Sequence, residues 1–177
     1  MTMPLTELPF SLPGRIFRSP MPFGDFDPDG KSLLAFKEEK VSVIVLLVDE
    51  EECLRKTGLN LKALYEGQGF QVIHLPIRDF SIPLKADLER VVKVTADHAR
   101  SGRNIVIHCY AGIGRTGLLA SYLAKEILGL SGLEAIRWVR KYIPGSLETP
   151  EQRRLILEDD PHYRPLENHQ DGNTPSG

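Results

Sequence analysis

The chain has 177 residues, of which 41% are hydrophobic and 26% charged, with a formal net charge of −2. That length suits one domain burying roughly 70% of its unfolded surface, and so small a charge excludes a general attraction to nucleic acid or acidic membranes. Two cysteines, Cys53 and Cys109, are too few for a disulfide framework and lack metal-ligand spacing.

The first thirty residues are punctuated by Pro4, Pro9, Pro13, Pro20, Pro22 and Pro28 and read as irregular backbone, with Gly14 to Ser19 a short edge strand inside it. Lys31 to Lys40 carries Leu33, Leu34 and Phe36 and reads as a short helix. Val41 to Leu47, VSVIVLL, is continuously apolar and β-branched, as a strand buried on both faces is. Leu59 to Gln68 reads as a helix stopped by Gly69, and Phe70 to Leu75 as a second strand. Leu84, Leu88, Val91, Val92, Thr95 and Ala99 then line one face of a long helix ending near Gly102. Asn104 to Cys109, NIVIHC, is the third buried strand.

Three helical patterns follow. Leu118 to Leu128 is apolar almost all round, Leu133, Ile136, Val139 and Ile143 form a stripe stopped by Pro144, and Thr149 to Glu158 starts with a capping Thr and Pro150. The polar chain beyond residue 160 is expected to be a flexible tail, residues 161–177. Strands alternating with helices predict one α/β domain with a parallel-cored sheet. No apolar run approaches the ~20 residues of a membrane span, and the start MTMPLTELPF lacks the basic and apolar regions of a signal peptide. The expected setting is the cytoplasm, with no membrane and no nucleic-acid partner, and a monomer.

Ile105 to Ile127, IVIHCYAGIGRTGLLASYLAKEI, carries two incompatible motifs. Gly112, Gly114 and Gly117 spell the dinucleotide fingerprint G-x-G-x-x-G. That motif needs a following strand ending in an acid about 20 residues on, to hold the ribose. Here the following chain, SGLEAIRWVRKYI, has helical spacing instead. A Walker loop is excluded by the lack of its lysine. The other motif is Cys109 six residues before Arg115. The intervening Tyr110, Ala111, Gly112, Ile113 and Gly114 form a tight loop whose glycines let backbone N–H groups converge on an oxyanion. The next helix begins near Arg115, and its positive end favours an anion and a thiolate there. Arg115 offers a planar fork that grips two phosphate oxygens, which lysine cannot imitate. An alkoxide or phenoxide leaving group also needs an acid. Asp49 and Asp79 both follow a predicted strand. Asp79 is preferred because Pro76 and Pro83 bracket a short loop able to close over substrate.

His108 to Gly117 resembles the H-C-x-x-G-x-x-R-[ST] loop of the cysteine-dependent protein tyrosine phosphatases. Pro76 to Pro83 resembles the mobile acid loop of the small dual-specificity branch, and Ile143 to Gln152 a stretch downstream of its phosphate loop. With LPFSLPGRIFRS near the start, the layout is similar to kinase-associated phosphatase and very small atypical dual-specificity enzymes, over Gly14 to Leu157. The resemblance implies a mostly parallel four- to five-stranded sheet flanked by helices, and phosphomonoester hydrolysis with no metal or other cofactor. It implies Cys109 as nucleophile forming a phosphocysteine, Arg115 as phosphate ligand and Asp79 as acid. His108 is expected to brace the loop, Thr116 to donate to the sulfur, and Gln152 either to position the attacking water or to be a surface residue. Arg18 and Arg78 are expected at the pocket mouth, and Cys53 as a surface or half-buried thiol. The uncharged loop suits phosphotyrosine first and phosphoserine or phosphothreonine more slowly. A nucleotide, lipid or other small phosphate, or phosphate binding without turnover, are the alternatives.

Overall fold

The computed structural model describes residues 4–161, 163 and 164, so the expected flexible tail falls almost wholly outside the described residues. Its elements are β1 (Thr6–Leu8), β2 (Ile16–Ser19), α1 (Lys31–Glu38), β3 (Val41–Leu46), α2 (Glu50–Thr57), α3 (Leu61–Gly67), β4 (Gln71–His74), α4 (Lys85–Arg100), β5 (Asn104–His108), α5 (Gly114–Leu128), α6 (Gly132–Tyr142) and α7 (Pro150–Leu157). The five strands form one sheet in the order β1-β2-β5-β3-β4, parallel throughout except for the antiparallel β1–β2 pair. The α/β reading holds.

The two central strands show why. Val43 to Val48 and Ile105 to Ile107 are all fully buried, as continuous apolar runs between layers must be. Helix α5 is the pillar beside them, with every residue from Gly114 to Ala124 buried and α4, α6 and α7 packed around it. Each fully buried Leu there contributes on the order of 1.5–3 kcal/mol over exposure. Trp138 on α6 packs on Phe10, ring centroids 4.8 Å apart.

Three readings change. Strand β2 lies inside the sheet, not at its edge, because Thr6–Leu8 adds the antiparallel β1 outside it. Helix α2 forms where no apolar stripe announced one. Its charges follow the helix dipole instead, with acidic Glu50, Glu51 and Glu52 in the first turn and Arg55 and Lys56 in the last. The Asp49 side chain caps it by accepting from Glu52 N–H at 2.7 Å. That helix also buries Cys53, which is 1% exposed and not a surface thiol. Burial, then Glu52 and Asp49, push its pKa up to about 12, so it stays an inert thiol near neutrality.

Register places the site. Ser19, His108, Leu46 and His74 sit side by side on adjacent parallel strands, at or next to their carboxyl ends. Ligand sites of open α/β sheets open at that edge. The residues next in line on β5 are Cys109 and its loop.

Candidate active site

The loop from Cys109 to Arg115 is shaped from beneath by β2. Gly112 has φ +74°, and a Cβ there would lie 2.2 Å from the Ser19 carbonyl oxygen, so only glycine fits on both counts. Arg18 donates through Nε to Gly112 O and through Nη2 to Ala111 O, both at 3.0 Å. It therefore holds the loop's carbonyls outward from below and is not at the mouth. Burial lowers its pKa, which the Cys109 sulfur opposes.

His108 braces the other side. Its Nδ1 is 2.9 Å from Cys109 O, an atom that only accepts, so Nδ1 carries the proton. Nε2 then accepts from Tyr65 O–H at 2.9 Å. Burial lowers the pKa of this ring to about 4, and the hydrogen bond to Cys109 O opposes the drop. The ring is a neutral, doubly bonded spacer.

Arg115 is 2% exposed and forms the floor. Nη1 and Nη2 each donate to one oxygen of Glu52 at 2.9 Å, and Nη1 also donates to Ile77 O at 2.9 Å. Burial works against the charge, but Glu52, the Cys109 sulfur and Asp79 outweigh it and hold the pKa above its ordinary value. The end of the fork is thus clamped. Nε has no partner among the described residues, and Asp79 Oδ1 lies 3.3 Å from Nη2. The side-on edge, Nε with the second N–H of Nη2, is the part of the fork that Glu52 and Ile77 leave unengaged. A buried unsatisfied donor costs about 1–3 kcal/mol and gains that much from an anionic acceptor.

Thr116 donates through Oγ1 to Cys109 Sγ at 3.2 Å. Asp79 is 45% exposed at its side chain, and its Oδ1 accepts from Phe80 N–H at 3.0 Å. Cys109, Arg115, Asp79, Tyr110, Ala111, Ile113 and Gly114 share one cleft of about 320 Å³ with Phe26, Phe80 and Glu148. A thiol at a helix N-terminus, a clamped arginine and an acid across from them can bind a phosphate and break its ester bond.

The other predicted residues lie elsewhere. Gln152 is fully buried, not at the surface. Its amide is committed, accepting from Thr149 N–H at 3.4 Å and donating to Ser81 O at 3.3 Å, and it does not line the cleft. It ties the acid loop to α7. Arg78 and Asp49 line a neighbouring hollow with Asp79, not the cleft that holds Cys109. Glu52, Tyr65 and Glu148 escaped the sequence reading, since none lies near the loop in the chain.

A family profile described as "Tc-R-P: Polymorphic toxin system, DSP-PTPase phosphatase" matches residues 25–127, more than half of the chain. The chain belongs to that family. The DSP-PTPase chain is 35% identical to the tyrosine-protein phosphatase cdc-14 of Caenorhabditis elegans over 122 residues, covering 68% of this chain and 16% of the relative. Its fold is similar to that of Tk-PTP in its active form, with a TM-score of 0.72 and 28% identity, covering 89% of this chain and 97% of the other. Kinase-associated phosphatase, solved with its catalytic cysteine replaced by serine, shares the fold at a TM-score of 0.79 and 22% identity, covering 89% of this chain and 95% of that one. Among curated relatives the DSP-PTPase chain spans 57% of an uncharacterized Methanocaldococcus jannaschii protein and 16% of cdc-14. Among the described residues, no helix is long and apolar enough to cross a membrane.

Proposed function

We propose that the chain hydrolyses phosphomonoesters through a phosphocysteine on Cys109. The observation that carries this reading is the clamped Arg115, which lines the same cleft as Cys109 and whose buried Nε has no partner among the described residues. The phosphate oxygens take the loop N–H groups and the side-on edge of Arg115. The Cys109 sulfur attacks phosphorus, the bond to the ester oxygen breaks, and Asp79 gives its proton to the departing alcohol. Water then attacks phosphorus and passes a proton to Asp79 as the P–S bond breaks. The sulfur leaves as a thiolate, eased by the Thr116 hydroxyl and the α5 N-terminus.

Three aromatic side chains, Phe26, Phe80 and Tyr110, wall the cleft, with Phe26 and Phe80 61% and 62% exposed. They favour a flat leaving group, so phosphotyrosine is the fastest substrate of the reading, and phosphoserine and phosphothreonine are slower because an alkoxide departs less readily. Turnover of p-nitrophenyl phosphate in EDTA tests the reading. Release of p-nitrophenol that is lost in Cys109→Ser and Arg115→Lys is the expected result. Phosphate binding with no turnover in the unaltered chain contradicts it.

A further inference from the structure

Glu148 has no part in the chemistry above, yet it stands in the cleft. Its carboxyl group lies 3.0–3.3 Å from where a Cβ on Gly114 would be, and it lines the same cleft as Cys109, Arg115 and Asp79. No hydrogen bond or ion pair holds its carboxylate among the described residues, and only its backbone oxygen accepts, from Arg153 Nη1 at 3.3 Å. The N-terminus of α7 does not need it either, since Thr149 and Gln152 complete that capping box. Burial and the Asp79 carboxylate hold its pKa above the ordinary glutamate value, with Arg115 opposing, so it senses the interior of the cleft. A site built for an anion keeps here a carboxylate with no cation paired to it among the described residues.

We propose that Glu148 is a specificity-determining residue whose carboxylate rejects phosphomonoesters with a second negative charge beside the phosphate and selects those in neutral or cationic surroundings. The substrate class is a phosphorylated side chain flanked by basic or neutral residues, as opposed to a bisphosphate, a nucleoside polyphosphate or a phosphate within an acidic run. The inference rests on the phosphatase reading of this cleft.

No nearby cation pairs with the Glu148 carboxylate among the described residues, and Arg153 meets only its backbone oxygen. Arg115 is clamped by Glu52, and Arg18 donates through Nε and Nη2 to loop carbonyls and does not line the cleft. Lys56 sits over the Tyr110 ring, its Nζ 4.2 Å from the centroid. The adjoining hollow carries Arg55, Lys56 and Arg78, but alongside Asp49, Glu51, Glu52 and Asp79. Of the residues that line that hollow only Asp79 also lines the cleft, so its cations stand apart from Glu148. A like charge about 7 Å from Glu148 in a partly screened cleft lowers the rate constant for that substrate by about five- to tenfold.

The test uses two phosphotyrosine peptides that differ only in Lys or Glu on both sides of the phosphorylated residue. At low salt the unaltered chain is expected to favour the Lys peptide in kcat/KM. Glu148→Gln should shrink that ratio by about five- to tenfold, and Glu148→Lys should shrink it further or invert it. Salt at about 0.5 M should also weaken the preference. A group serving only the chemistry would change both peptides alike, so a ratio equal in the unaltered chain and both variants overturns the proposal. Peptide dissociation constants measured in the Cys109→Ser background give the same ratio without turnover. A ratio that tracks Glu148 in binding while the unaltered chain turns over neither peptide would sink the phosphatase reading and leave the charge selection standing.

Discussion

Removing Glu52 should disable Arg115 from behind. The Glu52 side chain supplies two of the three hydrogen bonds that the guanidinium ends make at 2.9 Å, and both partners are buried, at 4% and 2% exposure. Deleting one member of a buried pair leaves an uncompensated charge and costs about 3–5 kcal/mol. Asp79, 3.3 Å from Nη2 and half-exposed, recovers part of this, so Glu52→Ala should cost about 3 kcal/mol. For a domain of this size that lowers Tm by roughly 6–12 °C. Glu52→Gln keeps the shape and one acceptor and should cost less. Replacing Arg115 as well, in Glu52→Ala with Arg115→Met, removes the stranded charge, and the double variant should be more stable than Glu52→Ala alone. Activity should fall too, by about ten- to a hundredfold in kcat/KM for Glu52→Ala, because the fork no longer presents its side-on edge. Urea unfolding and p-nitrophenyl phosphate kinetics on the same preparations read both effects. A Glu52→Ala cost below about 1 kcal/mol, or a double variant less stable than the single, refutes the clamp.

Asp79→Ala should lower kcat by about 10²–10⁴, the usual worth of general acid catalysis, and more for an alkyl than an aryl phosphate; equal loss for both would count against Asp79 as the acid. His108 makes stability pH-dependent. Its folded pKa of about 4 lies below the ordinary 6.5, so between those values the unfolded chain holds a proton that the folded chain does not, and stability falls as pH drops through that window. The full loss is about 3 kcal/mol, and urea titrations from pH 7 to pH 4 should show a steeper fall in the unaltered chain than in His108→Asn. Gly112→Ala should abolish turnover and cost several kcal/mol, because φ +74° and the 2.2 Å approach to Ser19 O both exclude a Cβ; a variant that melts and turns over like the unaltered chain would show that the loop adapts.

The sequence made the sheet core and the phosphate loop legible for the same reason: both are local patterns. A six-residue apolar run can only be a buried strand or helix segment, and Cys109 to Arg115 puts nucleophile, glycines and cation within one turn of chain. What stayed hidden is non-local or unpatterned. Strand β1 is three residues between prolines, and it exists because β2 has a free edge to pair with. Helix α2 carries only Cys53 and Leu54 as apolar residues, so its signals were its order of charges and its end residues, Asp49 and Gly58. Glu52 lies 63 positions from Arg115 and joins it only once β3 and β5 align. Gln152 drew attention because it closes a matching stretch, but the capping box of α7 turns it inward and leaves Glu148 in the cleft.

In the proposed reaction Cys109 carries the phosphoryl group between the two steps. Rapid denaturation of the enzyme during turnover of p-nitrophenyl phosphate, followed by peptide mass spectrometry, tests it most directly. Phosphate is expected on the Cys109 peptide, approaching one equivalent in a variant slowed in the hydrolytic step and absent in Cys109→Ser. Phosphate found on another side chain, or full turnover by Cys109→Ser, would contradict it.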